Sequence, residues 1–423
     1  MTMKTIVNTT PGCADPWDED SISVEQALSQ ITNRIQALQD CEELPIRDCL
    51  GRVSSDSVIS PINVPGHANS AMDGFAVHAE SLPEDGVAEL TEIGTAYAGL
   101  PFEGDCKQGE CVRIMTGAVI PEGTDTVIMQ EQVDQLENNT IRIGAGHRVS
   151  ENVRYAGEDI GEGETVLANG SKINPADLGI LASLGIGSLK VLRKPVIAFF
   201  STGDELVSID KPLQKGEIYD SNRYTLHGML SQLAVDIVDL GVIEDDPDAI
   251  RNALLKASQT ADLIITTGGV SVGEADYIKP VLEDIGEIEF WKIAIKPGRP
   301  LTYGSIGNCI FMGLPGNPVA VMVTFNLFVS TAIRKLCGAP AWQPPLIKAR
   351  SMQNLRKKPG RHEFLRGIAS ADANNDWQVE KTGMQGSGIL TSMSRANCFI
   401  VLPAENSGVK EGDLVEVQLF DHI

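Results

Sequence analysis

PVIAFFSTGDEL (residues 195–206) and DLIITTGGVSVGEADY (residues 262–277) decide the fold. Each is a short run of apolar, β-branched and aromatic residues that stops at glycine and acidic residues. That is the pattern of a fully buried strand ending in a loop. YDSNRYTLHGMLSQL (219–233) reads as a helix and VDIVDLGVI (235–243) as a strand. DPDAIRNALLKASQT (246–260) reads as a helix with Asp246 as N-cap before Pro247. Helical DYIKPVLEDIG, strand EIEFWKIAI, hairpin-like LTYGSIGNCIFMG and a last helix opening at Asn317-Pro318 follow. Strands alternating with helices mean βαβ units and a parallel sheet between about Arg193 and Gly338.

The flanks read differently. Val24, Ala27, Leu28, Ile31, Ile35 and Leu38 recur at helical spacing after Ser23, with Gln26 placed for a capping box. From about Pro61 to Ser150 the texture is short β-rich pieces broken by Gly and Pro. NPADLGILASLGIG (174–187) is a helix with Pro in its first turn and Gly at its end. Beyond Ala339–Pro345, short strands such as NCFIVLPA and DLVEVQLF suggest a small barrel or sandwich. The fold class is therefore multidomain α/β: a three-layer α/β domain, a β-rich domain and a C-terminal β-barrel.

The chain has 423 residues, a formal net charge of -23 and 42% hydrophobic residues. Several buried cores are affordable, and a disordered acidic chain is excluded. So acidic a protein does not grip nucleic acid over its whole surface, and 5% aromatic residues leave few stacking platforms for single strands. The N-terminus lacks a signal-peptide core, and the most apolar helix-length stretch, Val319 to Ile333, is interrupted by Thr324, Asn326 and Ser330. It reads as a buried core helix, and no membrane segment is expected. The eight scattered cysteines form no CxxC pair and suit reduced thiols in a cytoplasmic protein.

Ligands of an open parallel sheet bind beyond the carboxyl ends of its strands. STGDEL places Asp204 and Glu205 there, TTGGVSVGEADY places Gly268, Gly269, Ser271, Gly273, Glu274 and Asp276 there, and Asp245 and Asp246 follow a third strand. GLPGNP (313–318), with Pro315 and Pro318, precedes the last helix. Glycines at such a turn let backbone amides approach a phosphate, although a tight turn needing positive φ explains them too. GGVSVG is neither a Walker A loop nor GxGxxG. The acids suit a hard cation such as Mg²⁺ bridging a substrate phosphate, or equally helix capping and solvation. Alternation in WKIAIKPGRP puts Lys292 and Lys296 on one strand face, an anion clamp or an exposed edge. Asp73 in PGHANSAMDGFAV, and Arg154, Glu158 and Asp159 in RYAGEDIGEG, stand in glycine-flanked loops, as do Arg361, Arg366 and Ser387 near the C-terminus. Spacing alone assigns the Asp73 and Arg154–Asp159 segments no mechanism; Arg361 and Arg366 with the Gly-Ser loop at Ser387 suit a phosphate, and loop turns explain them equally well.

Taken in order, SAMDGFAV, RIMTGA, GEDI, STGDEL, YDSN, DDP, TTGGVSVGEADY, WKIAIKPGRP, GLPGNP and QGS resemble molybdopterin molybdenumtransferases, from about Ser23 to the C-terminus. The resemblance implies insertion of molybdenum from molybdate into adenylylated molybdopterin, releasing AMP with Mg²⁺ assistance. It implies a homodimer with its cleft between subunits, working with other molybdenum cofactor biosynthesis proteins. It also implies four domains: residues 1–60 with 151–190, the inserted β-rich 61–150, the molybdopterin-binding 191–338, and the barrel 339–423. The family's important acids correspond to Asp73, Asp159, Glu205, Asp245 and Asp276, its MTGA threonine to Thr116, and its cleft lysines to Lys292 and Lys296. Arg154, Arg366, Ser387, Pro315 and Pro318 match further site positions. On this reading some of Glu205, Asp245 and Asp276 hold Mg²⁺, amides from Gly268 to Gly273 hold the pterin's phosphate end, and the lysines hold molybdate. A molybdopterin adenylyltransferase shares the GGVSVG domain type, and a dimeric scaffold shares the whole fold. The first needs only the α/β domain, and the second carries an extra domain and a long linker.

Overall fold

The computed structural model describes residues 21–269, 277–340 and 343–420. The chain divides into two compact units. One runs to Glu42, takes in Gly51–Val53 and resumes at Leu192; the other comprises Glu43–Leu50 and Ser54–Val191.

The first helix, α1 (Val24–Arg34), opens with the expected reciprocal cap: Gln26 N–H donates to Ser23 Oγ at 3.1 Å, and Ser23 N–H to Gln26 Oε1 at 2.9 Å. It ends before the expected Leu38. Val24, Ala27 and Ile31 on its apolar stripe are buried in the core of the first unit.

In the second unit, β1 (Gly74–Val77), β2 (Val87–Ala96), β3 (Glu110–Ile114), β4 (Thr126–Met129), β5 (Val133–Gln135) and β6 (Thr140–Gly144) form one sheet, ordered β4-β1-β3-β2-β6-β5. Only β2 and β3 pair in parallel. Both faces are apolar: Phe75, Val77 and Ile128 enter one core, Ala76, Val112 and Val127 the other. α2 (Pro175–Ser183), capped by Asn174, packs with Cys49, Leu167, Ile173, Leu189 and Val191 in a third, smaller core.

The first unit carries the α/β sheet: β7 (Val196–Thr202), α3 (Ser221–Leu230), β8 (Asp236–Ile243), α4 (Pro247–Ser258), β9 (Leu263–Thr267), α5 (Ile278–Ile285), β10 (Glu287–Lys292), β11 (Pro300–Ile306), β12 (Cys309–Leu314) and α6 (Pro318–Leu336). Sheet order is β8-β7-β9-β12-β11-β10. β8, β7, β9 and β12 are parallel, and the expected hairpin makes β11 antiparallel to both β12 and β10. Neighbouring residues of one strand serve opposite layers: Phe199 packs with Leu226, Leu230 and Phe328, and Phe200 with Ile250, Leu254 and Leu282. Each such buried side chain contributes about 1.5–3 kcal/mol. Asp262 sets the start of β7, accepting two bonds from the Arg193 fork at 2.7 and 2.8 Å and one from Val196 N–H at 2.7 Å.

By length and composition α6 could cross a membrane, but 67% of it is buried inside the chain, so it is the core helix the sequence suggests. A π-helical stretch, Phe325–Val329, interrupts it. β13 (Leu346–Ser351), β14 (His362–Ala371), β15 (Trp377–Lys381), β16 (Cys398–Leu402) and β17 (Leu414–Leu419) close into a five-stranded barrel in the order β14-β15-β13-β17-β16-β14. Ala349, Leu365, Val379, Ile400 and Val417 fill it. The seven described cysteines are free thiols.

Candidate functional site

β7 delivers its last residues, Ser201 and Thr202, buried to the carboxyl edge of the sheet. There the Thr202 hydroxyl donates a short hydrogen bond to an Asp245 carboxylate oxygen. The Glu205 carboxylate folds back over Gly203, where a Cβ would stand 2.7 Å from Oε2. From the next strand, Gly268 and Gly269 turn at φ of 84° and 63°. A Cβ on Gly268 would lie 2.4 Å from the Thr202 carbonyl oxygen, and one on Gly269 would lie 2.7 Å from Ile278 Cγ1. Both positions therefore need glycine twice over, for the backbone conformation and for the close approach. Glu205, Asp245, Gly268 and Gly269 thus meet around the end of β7. Ser271, Gly273 and Asp276, expected to complete the group, lie outside the described residues, as does Glu274.

The donors gathered here are all oxygen. Mg²⁺ is held by one or two carboxylates with substrate phosphate and waters completing its shell, so the exposed Glu205 and half-buried Asp245 fit it. Among the described residues no group of three His, Cys, Asp or Glu forms a closed metal cage.

The GLPGNP loop adjoins the glycine turn: Gly268 N–H donates to Leu314 O at 3.3 Å, and a Cβ on Gly316 would stand 3.8 Å from Gly268 Cα. Pro315 is buried, Gly316 and Asn317 are exposed, and Pro318 is the first residue of α6. Val319 N–H donates to Ser387 O at 3.0 Å, so Ser387 reaches this loop through its backbone. Arg366 is 1% exposed and donates to Ser392 Oγ and Gly386 O, each at 3.0 Å. Gln385 Oε1 accepts the Arg366 N–H at 2.8 Å. Burial lowers the Arg366 pKa to about 10. Its guanidinium grips the backbone behind the 385–388 loop.

Three polar residues at this edge were not among the expected site residues. Thr202 is one. Asp220, the N-cap of α3, accepts Arg223 N–H at 3.1 Å, yet its buried Oδ2 has no partner among the described residues. Asn222 donates from Nδ2 to Gly316 O at 2.7 Å, and its buried Oδ1 has no partner among the described residues. YDSN reads in sequence only as a helix start; nothing local says that its polar side chains turn inward.

The lysines require a correction. Ile293 and Ile295 are both fully buried, as alternation predicts, but the stretch is not one strand. Lys292 ends β10 opposite Pro300, whereas Lys296 pairs in parallel with Glu363 of the barrel. The ladder breaks because Ala294 N–H bonds Ile22 O at 2.8 Å and Ile295 N–H bonds Ile293 O at 2.8 Å. Lys296 Nζ lies 3.3 Å from Oε2 of Glu363, a carboxylate 5% exposed. Arg361 precedes β14 by one residue.

The second unit gathers its own polar group. Gly74 lets β1 run tight against β4, for a Cβ there would sit 1.9 Å from Ile128 O. Just before it, Asp73 Oδ1 accepts the Thr116 N–H at 2.7 Å and the Thr116 hydroxyl at 2.8 Å. These two bonds, backbone first, hold its carboxyl below the usual range. Arg154 pairs with Asn69, four residues from Asp73. Asp159 belongs to the loop fastened by Gly157 N–H to Pro65 O and by Asp159 N–H to Val64 O, both at 3.0 Å. Asp73, Thr116, Arg154, Glu158 and Asp159 are all exposed.

Residues 22–185 match the family described as MoeA N-terminal region (domain I and II), residues 198–335 the probable molybdopterin binding domain, and residues 348–420 the MoeA C-terminal region (domain IV). A Haemophilus influenzae protein named molybdopterin molybdenumtransferase is 43% identical over 403 residues, 95% of this chain and 99% of that one. One of the same name from Nostoc is 36% identical over 93% of this chain and 92% of its own. The crystal structure of a molybdopterin biosynthesis moeA protein from Pyrococcus horikoshii superposes with a TM-score of 0.82 at 29% identity, covering 95% of this chain and 100% of that one.

Proposed function

The chain belongs to the molybdopterin molybdenumtransferase family and is a transferase of molybdenum cofactor biosynthesis, and we propose that it inserts molybdenum from molybdate into adenylylated molybdopterin with release of AMP. The observation that carries the finer reading is the convergence of Asp245, Glu205 and the Gly268–Gly269 turn on Thr202 at the end of β7. On this reading a phosphoanhydride lies along that edge. The backbone at Gly269 approaches its phosphate, where no side chain keeps them apart, while the Gly268 N–H stays bonded to Leu314 O. Thr202 fixes the Asp245 carboxylate, and Glu205 brings a second negative charge. Glu205 and Asp245, with Asp276 of the same loop cluster in the sequence, would hold Mg²⁺, which would supply charge neutralisation at the phosphoanhydride. Lys292 and Lys296 receive the molybdate oxyanion, with the buried Glu363 restraining Lys296.

Asp73, Thr116, Arg154 and Asp159 enter this reading as the contribution of a second subunit in a homodimer. Val238, Val242 and Tyr224, left exposed on the edge strand β8 and on α3, give an apolar face that a second copy would cover. We place the protein in the cytoplasm, receiving its pterin from an upstream biosynthetic enzyme.

The test is AMP release by the purified protein from adenylylated molybdopterin, with and without molybdate and Mg²⁺, together with activation of an apo-molybdoenzyme. AMP release should need both ions, and Glu205→Ala or Asp276→Ala should abolish it in a folded protein. Wild-type turnover in either variant would sink the proposal. Consumption of ATP with free molybdopterin would assign an adenylyltransferase instead.

A further inference from the structure

α3 begins at the carboxyl edge of the sheet, and its first turn carries a buried asparagine. Asn222 is 8% exposed, and its Nδ2 donates to the carbonyl of Gly316, 94 residues away, at 2.7 Å. Gly316 is exposed and rests against Gly268, which in turn has no room for a side chain beside Thr202. The contacts thus run from Asn222 through Gly316 and Gly268 to Thr202 and its bond with Asp245. Among the described residues, Oδ1 of buried Asn222 has no partner, and neither has Oδ2 of Asp220 two residues before it. Leaving a buried acceptor unpaired is unfavourable, so the Asn222 Oδ1 lacks the partner that a buried amide oxygen ordinarily has.

Resting on the function proposed above, we propose that Asn222 is a positioning residue for the transfer reaction. Its Nδ2 holds the Gly313–Pro318 loop against the glycine turn, and its Oδ1 accepts an N–H or O–H donor of the bound substrate. The loop and the substrate are then read by the two ends of one amide, so displacing the loop loosens the substrate.

Asn222→Asp and Asn222→Leu separate the two ends. At pH 8 the carboxylate of Asn222→Asp keeps an acceptor at Oδ1 but sets a second acceptor against Gly316 O. Hydrogen exchange of the Gly316, Asn317 and Val319 amides should quicken in both variants, without reference to any activity. AMP release per folded molecule should fall about 10- to 100-fold in kcat/KM, the scale of one buried polar group left unpaired. As pH falls and the carboxyl protonates, Asn222→Asp regains a donor to Gly316 O and should recover both protection and turnover; Asn222→Leu should not. Unchanged exchange in the loop overturns the proposal. Quickened exchange with a lowered Tm but wild-type kcat/KM would show a structural role alone and overturn it as well. Failure of the wild-type protein to release AMP while the loop behaves as described would instead count against the proposed reaction.

Discussion

Replacing Arg366 should separate stability from activity. The side chain is 1% exposed, and among the described residues no carboxylate bonds its guanidinium. Burial lowers its pKa to about 10, well below the ordinary guanidinium value. At about 1.4 kcal/mol per pH unit, keeping the guanidinium charged there costs about 3 kcal/mol relative to water. The bonds to Ser392 Oγ and Gly386 O offset this by about 1.5–3 kcal/mol each. Arg366→Met removes the penalty and both bonds together and keeps the apolar stem, so folding free energy should fall by only about 0–3 kcal/mol. Arg366→Lys keeps the charge but loses the planar fork, and should destabilise by about 2–4 kcal/mol. Activity should follow a different order. Without the guanidinium the 385–388 loop loses its anchor, and with it the Ser387 carbonyl that receives Val319 N–H at the start of α6. AMP release should fall at least tenfold in both variants, although only one is markedly unstable. Urea unfolding and steady-state AMP release on the same preparations check this. A methionine variant as unstable as the lysine variant refutes the charge argument, and one with wild-type turnover refutes the positioning argument.

Three further outcomes are expected. Mixing Asp73→Ala with Glu205→Ala should restore part of the activity that each lacks, because a mixed dimer rebuilds one intact site if the two groups act across subunits; no recovery after subunit exchange, verified by differently tagged chains, would count against the homodimer reading. The depressed Asp73 carboxyl keeps its charge above its ordinary pKa of 3.8, and the stabilisation it contributes is lost only as pH falls through its lower folded value. Thr116→Val deletes the hydroxyl bond but not the backbone one, so the Asp73 carboxyl ¹³C titration should move up part of the way; an unmoved titration contradicts the assignment. Gly268→Ala would force a Cβ to 2.4 Å from a backbone oxygen at φ of 84°, and should destabilise by about 2–5 kcal/mol in a thermal or urea melt; wild-type stability there would mean the turn is not as tight as described.

Much of the architecture was legible from local pattern. The caps at Ser23 and Asp246, the proline in the first turn of α2, the buried strands and the glycine turns are specified by residues adjacent in the chain, through backbone propensity, side-chain period and the absence of a Cβ. That Glu205, Asp245 and the Gly268 turn would meet followed from topology, since parallel strands bring all their carboxyl ends to one edge. The lysine pair shows where period alone stops: the burial alternation of Ile293 and Ile295 is right, yet the ladder changes partners between Lys292 and Lys296. Arg366 looks in sequence like an anion-binding arginine; three-dimensional burial turns it into an anchor. Asn222 and Gly316, and Thr202 and Asp245, are joined across 94 and 43 residues. Sequence by itself determined the elements, the layers and the edge where chemistry gathers, because those depend on short-range patterns. Which polar atoms are paired, and which are left waiting at that edge, was decided only by tertiary packing, because hydrogen bonds between distant segments exist only once the chain has closed around them.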